Sequence, residues 1–97
     1  MKTVLYIHGK SGNASESTHY EKFFPDCKVI GLDYKTFSPW ETGKEIHEAV
    51  VSLKTEFESI ILIANSIGAF FCMNANLNGL IEKAYFISPV VNMEKLI

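Results

Sequence analysis

Two short stretches of this chain hold the residues whose types and spacing could do chemistry. The first is VLYIHGKSGNAS, residues 4–15. Gly9-Lys10-Ser11 after an apolar strand resembles the tail of a phosphate-binding loop, whereas His8-Gly9 at the strand end suits a loop that stabilises an oxyanion. A phosphate-binding P-loop needs a glycine five residues before its Gly-Lys-Ser, to open a turn of backbone N–H groups around the anion. That position is Val4, inside the strand, so there is no loop to wrap a phosphate. The dinucleotide fingerprint also fails, because only Gly9 and Gly12 are present.

The second stretch is ILIANSIGAFF, residues 61–71. Ser66 stands between Ala64 and Gly68, each two residues away, where a strand gives way to a helix. This is the spacing of a nucleophile elbow, G-x-S-x-G. So tight a turn brings the residues two before and two after the serine against neighbouring backbone, and both must be small. The serine then projects from the end of the sheet at a helix N-terminus, where developing negative charge is favoured. The backbone N–H of Ile67 is offered to an oxyanion. The plainer alternative makes Ser66 a helix N-cap, a role serine fills at many such turns.

The elements needed to position these loops can be read from hydropathy. Residues 3–8, 28–33, 60–64 and 84–88 are continuous apolar runs, which predict strands covered on both faces, as in a parallel sheet. Three helices are expected between them. The first covers residues 16–24 and stops at Pro25. The second starts at Ser38 as N-cap with Pro39 at its first position and Glu41 as the capping-box acid. Its residues Ile46, Val50, Leu53 and Phe57 fall on one face. The third, residues 66–77, ends near Asn78-Gly79 and has an almost wholly apolar first half, IGAFFCM. The fold class is therefore α/β: a mostly parallel sheet of about four strands with three crossover helices, in one domain over residues 1–97.

At this point the chain resembles the α/β-hydrolase superfamily, in particular its lysophospholipase and serine-aminopeptidase-like branch. The likeness runs through the whole order of strand, HG loop, helix, strand, helix, strand, ANSIG elbow, helix and strand. It implies a serine hydrolase of ester or related acyl bonds, acting on a small-molecule acyl substrate without metal or organic cofactor. By the same likeness Ser66 is the nucleophile, and the backbone N–H groups of Lys10 and Ile67 form the oxyanion hole. His8 and Gly9 support the loop, and Ala64 and Gly68 support the elbow. Ala64 replaces the first glycine of the pattern. The family places its acid and histidine on later strand ends, and no histidine follows Ser66 here. The expectation is thus an incomplete α/β-hydrolase core, with little turnover from the 97 residues alone.

Other candidates are weaker. His19 is expected to be an exposed bystander near the site mouth, and His47 to lie on the solvent-facing flank of its helix. Asp33, ending the second strand, is expected to structure a loop, and Glu94 to be helix surface or terminus. Tyr20, Phe23, Phe24, Phe37, Trp40, Phe70 and Phe71 are expected to be mostly core, some lining an acyl pocket. A second class of function is a flavodoxin-like or Rossmann-like module that holds a small anion or nucleotide at the HGKSG or ANSIG helix N-termini.

Composition bounds these readings. The chain is 47% apolar and 21% charged with a net charge of −2, which suits a globular domain and argues against nucleic acid or an anionic membrane as partner. No apolar run approaches the ~20 residues that span a bilayer. The residues before His8 are too few for the apolar region of a signal peptide. Cys27 and Cys72 lie far apart and are expected to be buried free thiols in a reducing, cytoplasmic compartment. The fourth strand, AYFIS, is expected to present an apolar edge through which copies associate.

Overall fold

In the computed structural model, residues 2–9, 13–35, 38–73, 75, 77 and 79–87 are described. Four parallel strands, β1 (Lys2–Ile7), β2 (Cys27–Leu32), β3 (Ser59–Asn65) and β4 (Lys83–Ile87), form one sheet in the order β2-β1-β3-β4. A ten-residue 3₁₀ helix, Ala14–Phe23, links β1 to β2. Helix α1 (Pro39–Lys54) links β2 to β3, and α2 (Ile67–Met73) follows β3. The strands stand within a residue or two of the apolar runs. The first helix is the departure, being 3₁₀ rather than α. Its N-cap is Asn13, whose side chain accepts from the amide of Ser15 at 3.0 Å.

Helix α1 begins as its sequence requires. Ser38 Oγ accepts from the Glu41 amide at 3.1 Å, and the Thr42 amide donates to Ser38 O at 2.9 Å. A cap of this kind contributes about 1 kcal/mol. From there the 3.6-residue period carries Thr42, Ile46 and Val50 inward, all fully buried.

The two faces of the sheet pack differently. Leu5, Ile7, Ile60, Leu62 and Ala64 join Ile46, Val50, Ile67, Ala69, Phe71 and Cys72 in a core under α1 and α2. Val4, Tyr6, Ile61 and Ile63 face the other way, toward Tyr20 and Phe24 of the segment around the 3₁₀ helix. Both faces of β1 and β3 are covered, which is why their sequences are apolar without alternation. Strand β4 lies at the sheet edge, and Tyr85, Phe86 and Ile87 are exposed.

The aromatic set does not all go inside. Phe71 is buried and Tyr20 and Phe24 are half-buried, but Trp40 is 81% exposed and Phe23 65%. Trp40 stands two positions before buried Thr42, about 200° around the helix, and so points away from the core. Phe37 and the side chain of Phe70 lie outside the described residues. Cys72 is buried and Cys27 half-buried, and both are free. Among the described residues no helix is long and apolar enough to cross a membrane, and no group of three or more His, Cys, Asp or Glu is placed to hold a metal ion.

Candidate active site

Strands β1 and β3 pair in register along their length, ending with Ile7 opposite Ala64. The next residues, His8-Gly9 and Asn65-Ser66, therefore leave the sheet side by side at its carboxyl end. Open parallel sheets bind ligands beyond the carboxyl ends of their strands, where successive connections diverge. Chain order departs from β1 toward β2 on one side and toward β3 on the other, so the divergence falls at this point.

Ser66 has φ of +56°, the left-handed region, and no other described non-glycine residue has a positive φ. A side chain in that region costs about 1–2 kcal/mol. The turn is fixed on both sides. The Ser66 amide donates to Ile87 O at 2.9 Å, holding it to the end of β4, and Ser66 O accepts from the Ala69 amide at 3.1 Å. This is not the geometry of the chain's helix caps, since Asn13 and Ser38 are both extended, with φ of −152° and −119°.

The small residues around the serine are small for steric reasons. A Cβ on Gly68 would stand 2.7 Å from His8 O and 2.9 Å from Ile7 O, closer than carbon and oxygen can approach. Ala64 is fully buried beneath the turn. A Cβ on Gly9 would lie 3.1 Å from Ser66 Cβ and 3.8 Å from Ser66 Oγ, so the HG loop touches the serine directly. His8, Gly9, Ala64, Ser66, Ile67 and Gly68 thus share one place. Ile67 opens α2, where an amide has no acceptor within its own helix. Lys10, with Ser11 and Gly12, lies outside the described residues.

His8 is buried, and its Nδ1 stands 2.7 Å from Gly9 O. A carbonyl only accepts, so Nδ1 carries the proton. The imidazole stacks on Tyr34 at 4.3 Å between centroids and 10° between planes. The Tyr34 hydroxyl donates to His8 O at 2.8 Å, and its ring meets the edge of Phe71. Tyr34 thereby fixes both the ring and the carbonyl of His8, the carbonyl that Gly68 must approach. Burial pushes the Tyr34 phenol up to about 12, with a smaller effect from Cys72, so it stays a donor. Burial also pushes the Cys72 thiol up to about 12. Tyr34 is the residue that sequence reasoning missed. Its one signal was an aromatic just past the end of a strand, beside Asp33.

On the opposite face, the Tyr6 hydroxyl donates to Glu16 Oε1 at 2.7 Å. Burial, followed by the Glu16 carboxylate, raises the Tyr6 phenol well above its ordinary value. A cleft of about 210 Å³ opens here, lined by Tyr6, Glu16, His19, Tyr20 and Asn65. Tyr20 also borders a larger apolar groove of about 350 Å³, formed with Phe23, Phe24, Ile63, Tyr85 and Ile87.

The remaining candidates separate clearly. His19 is exposed yet lines the cleft beside Asn65. Asp33 is exposed and pairs with Lys35 at 2.7 Å, whose hydrogen bond and charge lower its carboxyl. His47 is not simply on a solvent flank: it is half-buried, with Nδ1 2.9 Å from Ala75 O, so it ties α1 to the segment after α2. Glu94 lies outside the described residues.

The sheet is all parallel in the order β2-β1-β3-β4, with a left-handed serine between β3 and α2. The chain is 30% identical, over 102 aligned residues, to the Mycoplasma genitalium protein named "Putative esterase/lipase 3"; the match takes in 92% of this chain and 37% of that protein. Its fold matches the crystal structure of the mature Bacillus licheniformis lipase BlEst2 with a TM-score of 0.76 at 16% identity, over 90% of this chain and 40% of the lipase. No family model matches the chain. The chain is therefore part of an α/β-hydrolase fold, spanning about two fifths of the length of these two proteins.

Proposed function

We propose that Ser66 is the nucleophile of an ester hydrolase whose general base and orienting acid come from outside these 97 residues. Ser66 Oγ attacks the ester carbonyl carbon and passes its proton to the base. The oxyanion that forms is held by the N–H groups of Ile67 and Lys10. The alcohol leaves with the proton returned by the base, and water then releases the acid from the acyl-serine. Ala64 and Gly68 allow the turn, while His8 and Gly9 hold the loop opposite it.

The observation that carries this reading is the φ of +56° at Ser66, which sets it apart from a helix cap and fits a strained nucleophile elbow. The names of the two similar proteins, an esterase/lipase and a lipase, support the ester as the bond attacked. Free Cys27 and Cys72 fit a reducing cytoplasm.

The test is intact-mass analysis after treatment with a fluorophosphonate, with Ser66→Ala as control, and an esterase assay on the same samples. Without a base the hydroxyl is a poor nucleophile, so the 97-residue chain should give little turnover and slow labelling confined to Ser66. Labelling elsewhere, or labelling that survives Ser66→Ala, overturns the assignment. Rapid ester turnover by the chain alone overturns the external base. The exposed Tyr85, Phe86 and Ile87 on edge strand β4 also support self-association there. Light scattering should show dimers or larger species as concentration rises, and a monomer throughout counts against it.

A further inference from the structure

We propose that the cleft lined by Tyr6, Glu16, His19, Tyr20 and Asn65 binds an ammonium group, so that the ester attacked at Ser66 is one carrying a cationic amine. This rests on the hydrolase reading for its substrate, but not for the binding itself.

Three features of the cleft support this assignment. Its carboxylate, Glu16, is half-buried and held in place through Oε1 by the Tyr6 hydroxyl at 2.7 Å. A carboxylate only accepts, so Oε2 calls for a donor, and a charged donor makes the stronger bond. The half-buried Tyr20 ring lines the cleft beside that carboxylate and lies against the buried Tyr6 ring, with 5.2 Å between centroids and 30° between planes. The face of such a ring attracts a cation within ~6 Å of the centroid. A third feature places the cleft at the reacting centre. Asn65, which lines the cleft, is the residue immediately before Ser66. A group held between Glu16 and Tyr20 therefore lies beside the residue that precedes the serine, and Tyr20 leads on into the apolar groove. An amphiphilic ester with an amine near its carbonyl and an apolar portion beyond fits both spaces.

The experiment is an amide NMR titration of the 97-residue chain at low ionic strength and pH 8, with n-butylammonium and, separately, n-butanol. The two probes share shape and differ in charge. Butylammonium should give saturable shifts centred on Tyr6, Tyr20 and Asn65, with butanol at least tenfold weaker. Glu16→Gln, which keeps an acceptor for Tyr6, should weaken butylammonium at least fivefold, and Tyr20→Leu should weaken it too. Equal affinity for butanol, shifts centred elsewhere, or undiminished affinity in Glu16→Gln overturns the proposal. The comparison of the two probes on the unaltered chain stands even if a variant fails to fold. Ser66→Ala should bind butylammonium as the unaltered chain does. Binding together with fluorophosphonate labelling that survives Ser66→Ala would defeat the hydrolase reading alone, and labelling confined to Ser66 without binding would defeat the ammonium site alone.

Discussion

Replacing Ser66 by glycine should make the protein more stable. The backbone at Ser66 is held at φ +56° by bonds that do not involve its side chain, the amide to Ile87 O and the carbonyl from the Ala69 amide. Glycine adopts that conformation freely, so the substitution releases about 1–2 kcal/mol of steric strain. Glycine also loosens the unfolded chain, which costs about 0.4–1 kcal/mol. The net gain is about 0.5–1 kcal/mol, or about 3–6 °C in melting temperature for a chain of this size. Ser66→Ala keeps a Cβ in the left-handed region and should remain within about 0.5 kcal/mol of the parent. Urea unfolding of the three proteins, run side by side, measures both differences. If Ser66 were an ordinary helix cap, the order would change: alanine would lose about 1 kcal/mol and glycine a few tenths. A Ser66→Gly protein less stable than its parent would refute the strained-elbow account.

Two further perturbations test the surroundings of the turn. Gly68→Ala forces a Cβ against two carbonyls at the end of β1, which strand pairing on both sides keeps from moving. It should cost about 3 kcal/mol, the upper end of overpacking, and abolish fluorophosphonate labelling; a loss under about 0.5 kcal/mol would contradict the close approach. Stability should also fall in alkali. Cys72 is held near pKa 12 when folded, against an ordinary thiol value of 9.0. Its folded pKa is raised, so its contribution is complete below pH 9, where both states are protonated. It is lost as pH rises and the unfolded thiol ionises first. Between pH 9 and 11 the slope should approach about 1.4 kcal/mol per pH unit. It should steepen above pH 10 as Tyr34, raised from 10.0 to about 12, joins. Unfolding free energies at pH 8, 9, 10 and 10.5 under reducing conditions check this, and a flat profile would contradict it.

The sheet was legible in the sequence because β1 and β3 are buried on both faces, and a strand covered on both faces reads as an uninterrupted apolar run. The spacing Ala64–Ser66–Gly68 was legible for a steric reason that now has distances attached, with Gly68 admitted only because it lacks a Cβ. The link between Tyr34 and His8 was not legible. It joins residues 26 apart by a stack and a hydrogen bond, and no local pattern encodes such a contact. The 3₁₀ form of the first helix was missed for a similar reason. Residues 14–23 carry few apolar side chains and are held by Asn13 and by the Tyr6–Glu16 bond, both tertiary or capping details. Trp40 and Phe23 show the limit of composition as a guide, since their positions on the helices, and not their ring types, decide that they face solvent.

The strand order has a consequence for how the protein comes to be folded. The loop after β1 and the turn after β3 touch, yet Gly9 and Asn65 are 56 positions apart in the sequence, and β2 with α1 is made between them. During synthesis β1 leaves the ribosome early and can pair with β2, but its other edge waits until residues 59–65 have emerged. Contacts of such long sequence separation carry a large loop-closure cost and form slowly. The contact between Gly9 and Ser66 therefore arises only with the final closure of the central strand pair. Reactivity at that serine, wherever it is found, reports a chain that has finished folding, and partly folded intermediates should be silent to the same probe.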